Sequence, residues 1–139
     1  MNKIIFFSEF SGEPGMEADR VAIEIDGKPI YEVLDPESTK LNYSYIEIPH
    51  DLEAYFMGDY FPDWTLHGNI LVVLDCACGY TGCRPIGCSI SLSGDSVIWS
   101  NFMNLQTEDC LEGAPSKLEF TFGQYKQAID DFEVSHKRF

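Results

Sequence analysis

Basic residues are scarce in this chain. Its 139 residues include 9 lysines and arginines against 23 aspartates and glutamates, which gives a formal net charge of −14. Between Lys40 and Lys117 the only basic residue is Arg84, against ten acidic ones. Such a surface repels nucleic acid and anionic membranes, so neither is expected as a partner. The excess charge serves either solubility alone or the recognition of a basic protein.

Long hydrophobic runs are also missing. The longest apolar run near the middle is Ile70 to Leu74, far short of the ~20 residues that a membrane-spanning helix needs. An apolar run at residues 4–7 stops at Ser8, too early for the core of a signal peptide. The five cysteines are an odd number with three of them crowded, unlike a secreted disulfide framework. We therefore expect a cytoplasmic protein.

Familiar catalytic motifs are absent as well. The chain has no glycine-rich phosphate loop, no H-E-x-x-H and no nucleophile elbow. Because carboxylates are abundant throughout, no pair stands out as an acid–base couple. These absences favour a protein that is not an enzyme and needs no cofactor. One constellation remains as an alternative, in which a Cys83 nucleophile is paired with His67 and oriented by Asp75.

Apolar content is sufficient for a core, with 45% hydrophobic and 14% aromatic residues. The length predicts a single domain over residues 1–139. Periodicity predicts an α+β fold, mainly an antiparallel β meander of six to eight strands with a short C-terminal helix. The expected strands are 2–10, a hairpin over Arg20–Leu34 turning at Asp26-Gly27, 43–48, 70–76, 85–92, 96–102 and 118–122. The expected helices are 51–57 and 123–132, and residues 104–117 are expected to form a polar loop.

A cysteine loop is the most distinctive segment. Cys76, Cys78 and Cys83 fall within eight residues, between the two clearest predicted strands. The conservative interpretation is structural, with small, partly buried thiols in a tight glycine-containing hairpin. A second interpretation is a zinc site formed by these three cysteines, with His67, Cys88 or Cys110 as the fourth ligand. A third is a redox loop, in which Cys78 and Cys83 close a small disulfide ring.

The same loop carries a resemblance to known proteins. Residues 76–85 read Cys-x-Cys-Gly-x-x-Gly-Cys-x-Pro, followed by Trp-Ser-x-Phe at 99–102 and Phe-x-Phe-x-x-Tyr at 120–125. In this pattern the chain resembles a family of uncharacterised bacterial proteins over about residues 70–130. It departs from the family at Arg84, where an aromatic residue often precedes the proline. The resemblance implies no particular chemistry.

An acidic and aromatic segment precedes the middle of the chain. Acidic side chains alternate there with tyrosine, phenylalanine and tryptophan, and aromatic residues of this kind often anchor protein interfaces. The conservative interpretation places the aromatics in the core and the acids in water. The functional one makes the segment a partner-binding surface, formed by Glu47, Asp51, Glu53, Tyr55, Asp59, Tyr60, Asp63 and Trp64.

In size and charge the chain is similar to bacterial immunity proteins of contact-dependent growth inhibition systems. That similarity is one of class and not of motif. It implies a protein-binding module that neutralises a basic toxin by covering its active site. The alternatives are a small zinc protein built on the cysteine loop and a thiol-dependent redox enzyme.

Overall fold

Backbone pairing is antiparallel throughout the computed structural model, which describes residues 1–11, 18–36, 43–49, 51–58, 70–76, 85–105 and 107–136. The expected α+β class and C-terminal helix are confirmed. The described ranges contain ten strands and three helices. The strands are β1 Ile4–Ser11, β2 Ala18–Ile25, β3 Lys28–Pro29, β4 Tyr43–Ser44, β5 Ile46–Glu47, β6 Ile70–Cys76, β7 Ile86–Ser93, β8 Ser96–Asn104, β9 Asp109–Cys110 and β10 Lys117–Thr121. The helices are α1 Ile30–Leu34, α2 Leu52–Phe56 and α3 Phe122–His136.

The strands form two sheets and not one meander. In the first sheet β2 lies between β1 on one side and the short strands β3 and β5 on the other. The second has the order β10-β8-β7-β6-β4, with β9 added beside β8. The strand expected at 43–48 is divided at Tyr45, since β4 pairs with β6 while β5 pairs with β2. This short segment therefore links the two sheets.

The predicted hairpin is right at its turn and wrong in its second arm. Asp26 and Gly27 have φ angles of 53° and 83°, as a two-residue type I′ turn requires. The returning strand β3 has only two residues, because Pro29 has no N–H to donate to a longer ladder. Residues 30–34 form α1, whose Ile30 and Leu34 are buried at helical i, i+4 spacing.

The other helices follow their sequence signals. Asp51 caps α2, and its carboxylate accepts a hydrogen bond from the Ala54 N–H at 3.0 Å. The α3 helix extends beyond both predicted ends and buries the four residues whose spacing predicted it, Tyr125, Ala128, Ile129 and Phe132. The expected polar loop at 104–117 also contains a strand, because β9 pairs with Met103 and Asn104.

Aromatic side chains join the two sheets and the helices in one core. Trp99 of β8 and Phe120 of β10 meet with ring centroids 5.3 Å apart. Phe56 of α2 lies 4.5 Å from Phe6 of β1 and 6.4 Å from Trp99. Tyr125 of α3 donates a hydrogen bond to the Phe56 carbonyl at 2.6 Å and accepts one from the Trp99 indole at 3.3 Å. The core therefore depends on contacts between residues far apart in sequence.

Strands β6 and β7 pair as adjacent antiparallel strands, as predicted for the segments that carry Cys76 and Cys88. A bulge interrupts the next pair, where Asn101 and Phe102 of β8 face Cys88. Asn101 has a φ of 57°, a left-handed conformation that asparagine tolerates better than most residues. Beyond the bulge β7 leaves the core, so Leu92 is 53% exposed and not buried with the predicted apolar stripe.

Gly87 occupies a position with no room for a side chain. A Cβ atom there would lie 2.7 Å from Ile70 Cγ2, 2.9 Å from Leu105 Cδ1 and 3.2 Å from the Leu71 carbonyl oxygen. We expect Gly87→Ala to lower the free energy of unfolding by about 1–3 kcal/mol, as overpacked core sites do. Urea denaturation followed by fluorescence measures the change.

Gly123→Ala is the matched control, because nothing lies within 4 Å of its added Cβ and the residue is in the first turn of α3. Alanine should leave stability unchanged or raise it by up to about 1 kcal/mol. Equal effects of the two substitutions would contradict the steric interpretation of Gly87.

Candidate functional site

In the sequence the cysteine loop connects β6 to β7, two strands that pair with each other. The β6 strand ends at Cys76, while Cys78, Cys83 and His67 lie outside the described residues. Cys88 is fully buried in β7, and burial raises the pKa of its thiol well above the ordinary range. This thiol is a core group, and its burial makes it unsuited to ligate a metal. Cys110 is exposed on β9.

Metal ligands do not converge within the described ranges. No group of three or more histidine, cysteine, aspartate or glutamate side chains is placed there to hold an ion. A zinc site built from Cys76, Cys78 and Cys83 draws on residues outside those ranges. It therefore stays a sequence-based prediction.

Tyr55 belongs to the core. Its side chain is 3% exposed, and its hydroxyl both donates to the Val72 carbonyl at 2.8 Å and accepts from the Val72 N–H at 2.9 Å. Phe56 beside it is fully buried. The ring of Tyr55 is therefore removed from the expected partner-binding surface, because it serves packing and satisfies the backbone of β6.

The remaining residues of that surface fall into three groups. Asp51 and Glu53 lie on α2 with described side chains. Glu47 is described by its backbone alone, in β5 opposite Arg20. The other four, Asp59, Tyr60, Asp63 and Trp64, lie outside the described residues.

Helix α3 brings further carboxylates next to α2. Glu53 forms an ion pair with Lys126, which also contacts Asp130 at 3.0 Å. Glu133 follows Asp130 by three residues and so lies on the same side of α3. We call this group, Asp51, Glu53, Lys126, Asp130 and Glu133, the α2–α3 acidic face. One lysine stands among four acids, and its exposed ion pairs contribute at most about 1 kcal/mol to stability.

Sequence reasoning missed the α3 half of this face. One ion pair of the face has a signal in the sequence, because Lys126 and Asp130 are four residues apart on a predicted helix. Nothing in the sequence indicates that Lys126 meets Glu53, since that contact depends on how α2 docks against α3.

A second acidic surface arises where two distant segments touch. Gly113 lies so close to Pro36 that an added Cβ would be 2.9 Å from the proline Cδ. This contact places Asp35 and Glu112, the residues that precede Pro36 and Gly113 in the chain, on touching segments, and both reach solvent at least in part. No local pattern indicates this contact, because these residues are far apart in the chain.

Buried charge lies at the point where the chain changes sheets. Arg20 is 3% exposed and its guanidinium donates to the Tyr45 carbonyl at 3.4 Å. Asp75 is 4% exposed and lies opposite Ser44 in the β4–β6 pair. Burial, followed by the charge of Glu9, raises the pKa of Tyr45 to about 12. These groups are placed to fix the link between the sheets, and the Tyr45 phenol stays neutral at physiological pH.

Most of the described basic side chains are buried or contact acidic side chains of the same chain. Arg20 is buried, Lys126 contacts two acids and Lys117 contacts Glu119 at 3.3 Å. Lys3 and Lys28 both lie at the end of the first sheet that carries the Asp26–Gly27 turn. The rest of the described surface therefore presents carboxylates in excess.

Comparison with family models, with curated proteins and with solved structures gives no match to this chain. The resemblance of the cysteine loop to a bacterial family accordingly stays a prediction. In the described part of the chain, no helix combines the length and apolar character that crossing a membrane demands.

Proposed function

We propose that this protein is a non-enzymatic binding module that engages a basic protein in the cytoplasm, in the manner of an immunity protein. Its mechanism is occlusion of the partner's active site, with opposite charge guiding the encounter. The observation that carries the proposal is the imbalance of surface charge. The chain has a net charge of −14, and most of its described cations are buried or paired with its own acids.

The α2–α3 acidic face is the surface we assign to this encounter. Glu53 and Asp130 contact Lys126, on two helices that pack against each other, while Asp51 caps the first of these helices and Glu133 lies on the second. Rigid helices hold charges in a fixed pattern, which favours selective recognition of lysine and arginine side chains. Two further acids, Asp59 and Asp63, follow α2 in the sequence.

Neutralising two acids of this face should slow association with the partner. The tagged chain first captures its partner from the native organism, and stopped-flow kinetics are then measured at two salt concentrations. We expect Glu53→Gln combined with Asp130→Asn to lower the association rate roughly 3- to 10-fold at low salt, with a smaller effect on dissociation. Added salt should reduce the difference, because exposed charges are screened beyond about 8 Å at physiological ionic strength.

Glu108→Gln combined with Asp109→Asn is the matched control. It removes the same charge from exposed residues of the β8–β9 turn, and should leave the rate within about twofold. An equal loss in both variants would mean that total charge and not this face guides the encounter. An acidic partner, or an association rate indifferent to salt, would contradict the proposal itself.

A further inference from the structure

The tight turn at Asp26 and Gly27 carries a dipeptide that isomerises readily in proteins. An aspartate followed by glycine can close to a succinimide, because glycine has no Cβ to hinder attack by its backbone nitrogen. Both residues are exposed. Among the described residues, nothing lies within 4 Å of the position that a Cβ of Gly27 would take. The turn therefore combines a reactive sequence with an accessible backbone.

The reaction is a condensation followed by a hydrolysis. The Gly27 nitrogen forms a bond to Cγ of the Asp26 side chain, and the carboxyl O–H leaves with the amide proton as water. Water then opens the ring at either carbonyl carbon. Opening at the main-chain carbonyl of Asp26 leaves the chain running through Cβ and Cγ, which is isoaspartate. No reactant other than water takes part.

Two hydrogen bonds oppose this reaction in the folded chain. Oδ2 of Asp26 accepts a hydrogen bond from the Asn2 side-chain amide at 2.7 Å, and Oδ1 accepts one from the Lys3 N–H at 2.8 Å. Whichever oxygen leaves as water, one of these bonds is lost. The same two bonds, that from Asn2 first, lower the pKa of the Asp26 carboxyl, so that less of it is in the protonated form that loses water.

Asn2 extends this contact to the second sheet. Its backbone N–H donates to the Glu119 carbonyl of β10 at 2.9 Å, and its side-chain oxygen accepts from the Glu119 N–H at 3.0 Å. Isoaspartate adds one atom to the main chain at Asp26, so the geometry of a two-residue type I′ turn is lost. Modification of the turn would therefore also loosen the attachment of Asn2 to β10.

We propose that Asp26-Gly27 is a site of spontaneous isoaspartate formation, and that Asn2 is the residue that keeps the reaction slow in the folded protein. The turn that closes the first sheet is thereby protected through a contact with the second. Loss of the Asn2 contact, by substitution or by local opening, exposes the turn to modification.

The full chain is incubated at neutral pH and physiological temperature, and isoaspartate is measured at each position by peptide mapping with electron-transfer fragmentation. In guanidinium chloride, which opens the turn, we expect Asp26 to isomerise at least ~10-fold faster than in the native protein. We expect Asn2→Ala to raise the native rate at Asp26 roughly 3- to 10-fold, since it removes the donor to Oδ2.

Gln124→Ala is the matched control. It removes a side-chain amide that holds the backbone of Ile4, at 3.0 Å and 2.7 Å, while both donors to Asp26 remain. We expect it to leave the rate at Asp26 within about twofold of the unaltered chain.

Asp95, which precedes Ser96 in the turn between β7 and β8, is the internal reference for general opening of the fold. Its rate should be the same in Asn2→Ala and in the unaltered chain. An increase shared by Asp26 and Asp95, or no increase at Asp26, would overturn the role of Asn2. The comparison of native and unfolded chain needs no substitution. Equal rates at Asp26 in the two states, or no isoaspartate there after unfolding, would overturn the proposal as a whole.

Discussion

Replacing Trp99 by alanine should lower the free energy of unfolding by about 3–5 kcal/mol, the usual cost of truncating a large buried aromatic residue. Trp99 is fully buried and stands among Phe56, Phe120 and Tyr125, with ring centroids 6.4, 5.3 and 6.0 Å away. Its contacts join β8 to both α2 and α3. Equilibrium denaturation in urea measures the loss, with far-UV circular dichroism as the probe, since the substitution removes a fluorophore.

Leu92→Ala serves as the control for Trp99→Ala. Leu92 is a large apolar residue on the neighbouring strand β7, but its exposed position beyond the core should limit the loss to about 0.5 kcal/mol. Tyr125 keeps its hydrogen bond to the Phe56 carbonyl in the Trp99 variant, so the main loss is one of packing. A loss below about 1 kcal/mol would mean that the aromatic cluster contributes little to stability.

Cys88 and Cys110 should differ by a very large factor in the rate at which a thiol reagent modifies them. In the native protein at pH 8 we expect iodoacetamide to modify Cys110 at least ~1,000-fold faster than Cys88, because a buried group reacts only after the structure opens. Burial also raises the pKa of Cys88, so that less of its thiol is the reactive thiolate at this pH. Peptide mapping by mass spectrometry after timed quenching follows each cysteine separately.

Labelling in urea provides the reference for this comparison. Unfolding removes both the burial and the raised pKa, so the two rates should then agree within a few-fold. Rapid native labelling of Cys88 would contradict its position in the core. It would also reopen the interpretation of Cys88 as the fourth ligand of a zinc site.

The α2–α3 acidic face acts through side-chain charge and should mainly set the association rate. Measuring the association and dissociation rates against salt concentration therefore tests this assignment.

Local patterns determined much of the secondary structure. The apolar run at 70–76 and the alternation that follows it predicted the β6–β7 pair. The dipeptide Asp26-Gly27 predicted the tight turn, and the spacing of Tyr125, Ile129 and Phe132 predicted the buried face of α3. In each case the signal and its consequence lie within a few residues of each other. The prediction that fails is the second arm of the hairpin. Pro29 ends β3, and α1 forms where the alternation predicts a strand.

The sequence by itself determined the acidic character of this protein, the α+β class and the places where most strands and helices form. Tertiary structure alone decided that the strands divide into two sheets at Tyr45, that Tyr55 lies in the core, and that Glu53 meets Lys126 of a distant helix. It also decided that Phe10 stays exposed. Periodicity indicates only which side of a helix or strand is apolar. The division into two sheets and the burial of Tyr55 depend on which elements pack together, because packing is set by contacts between residues far apart in the chain.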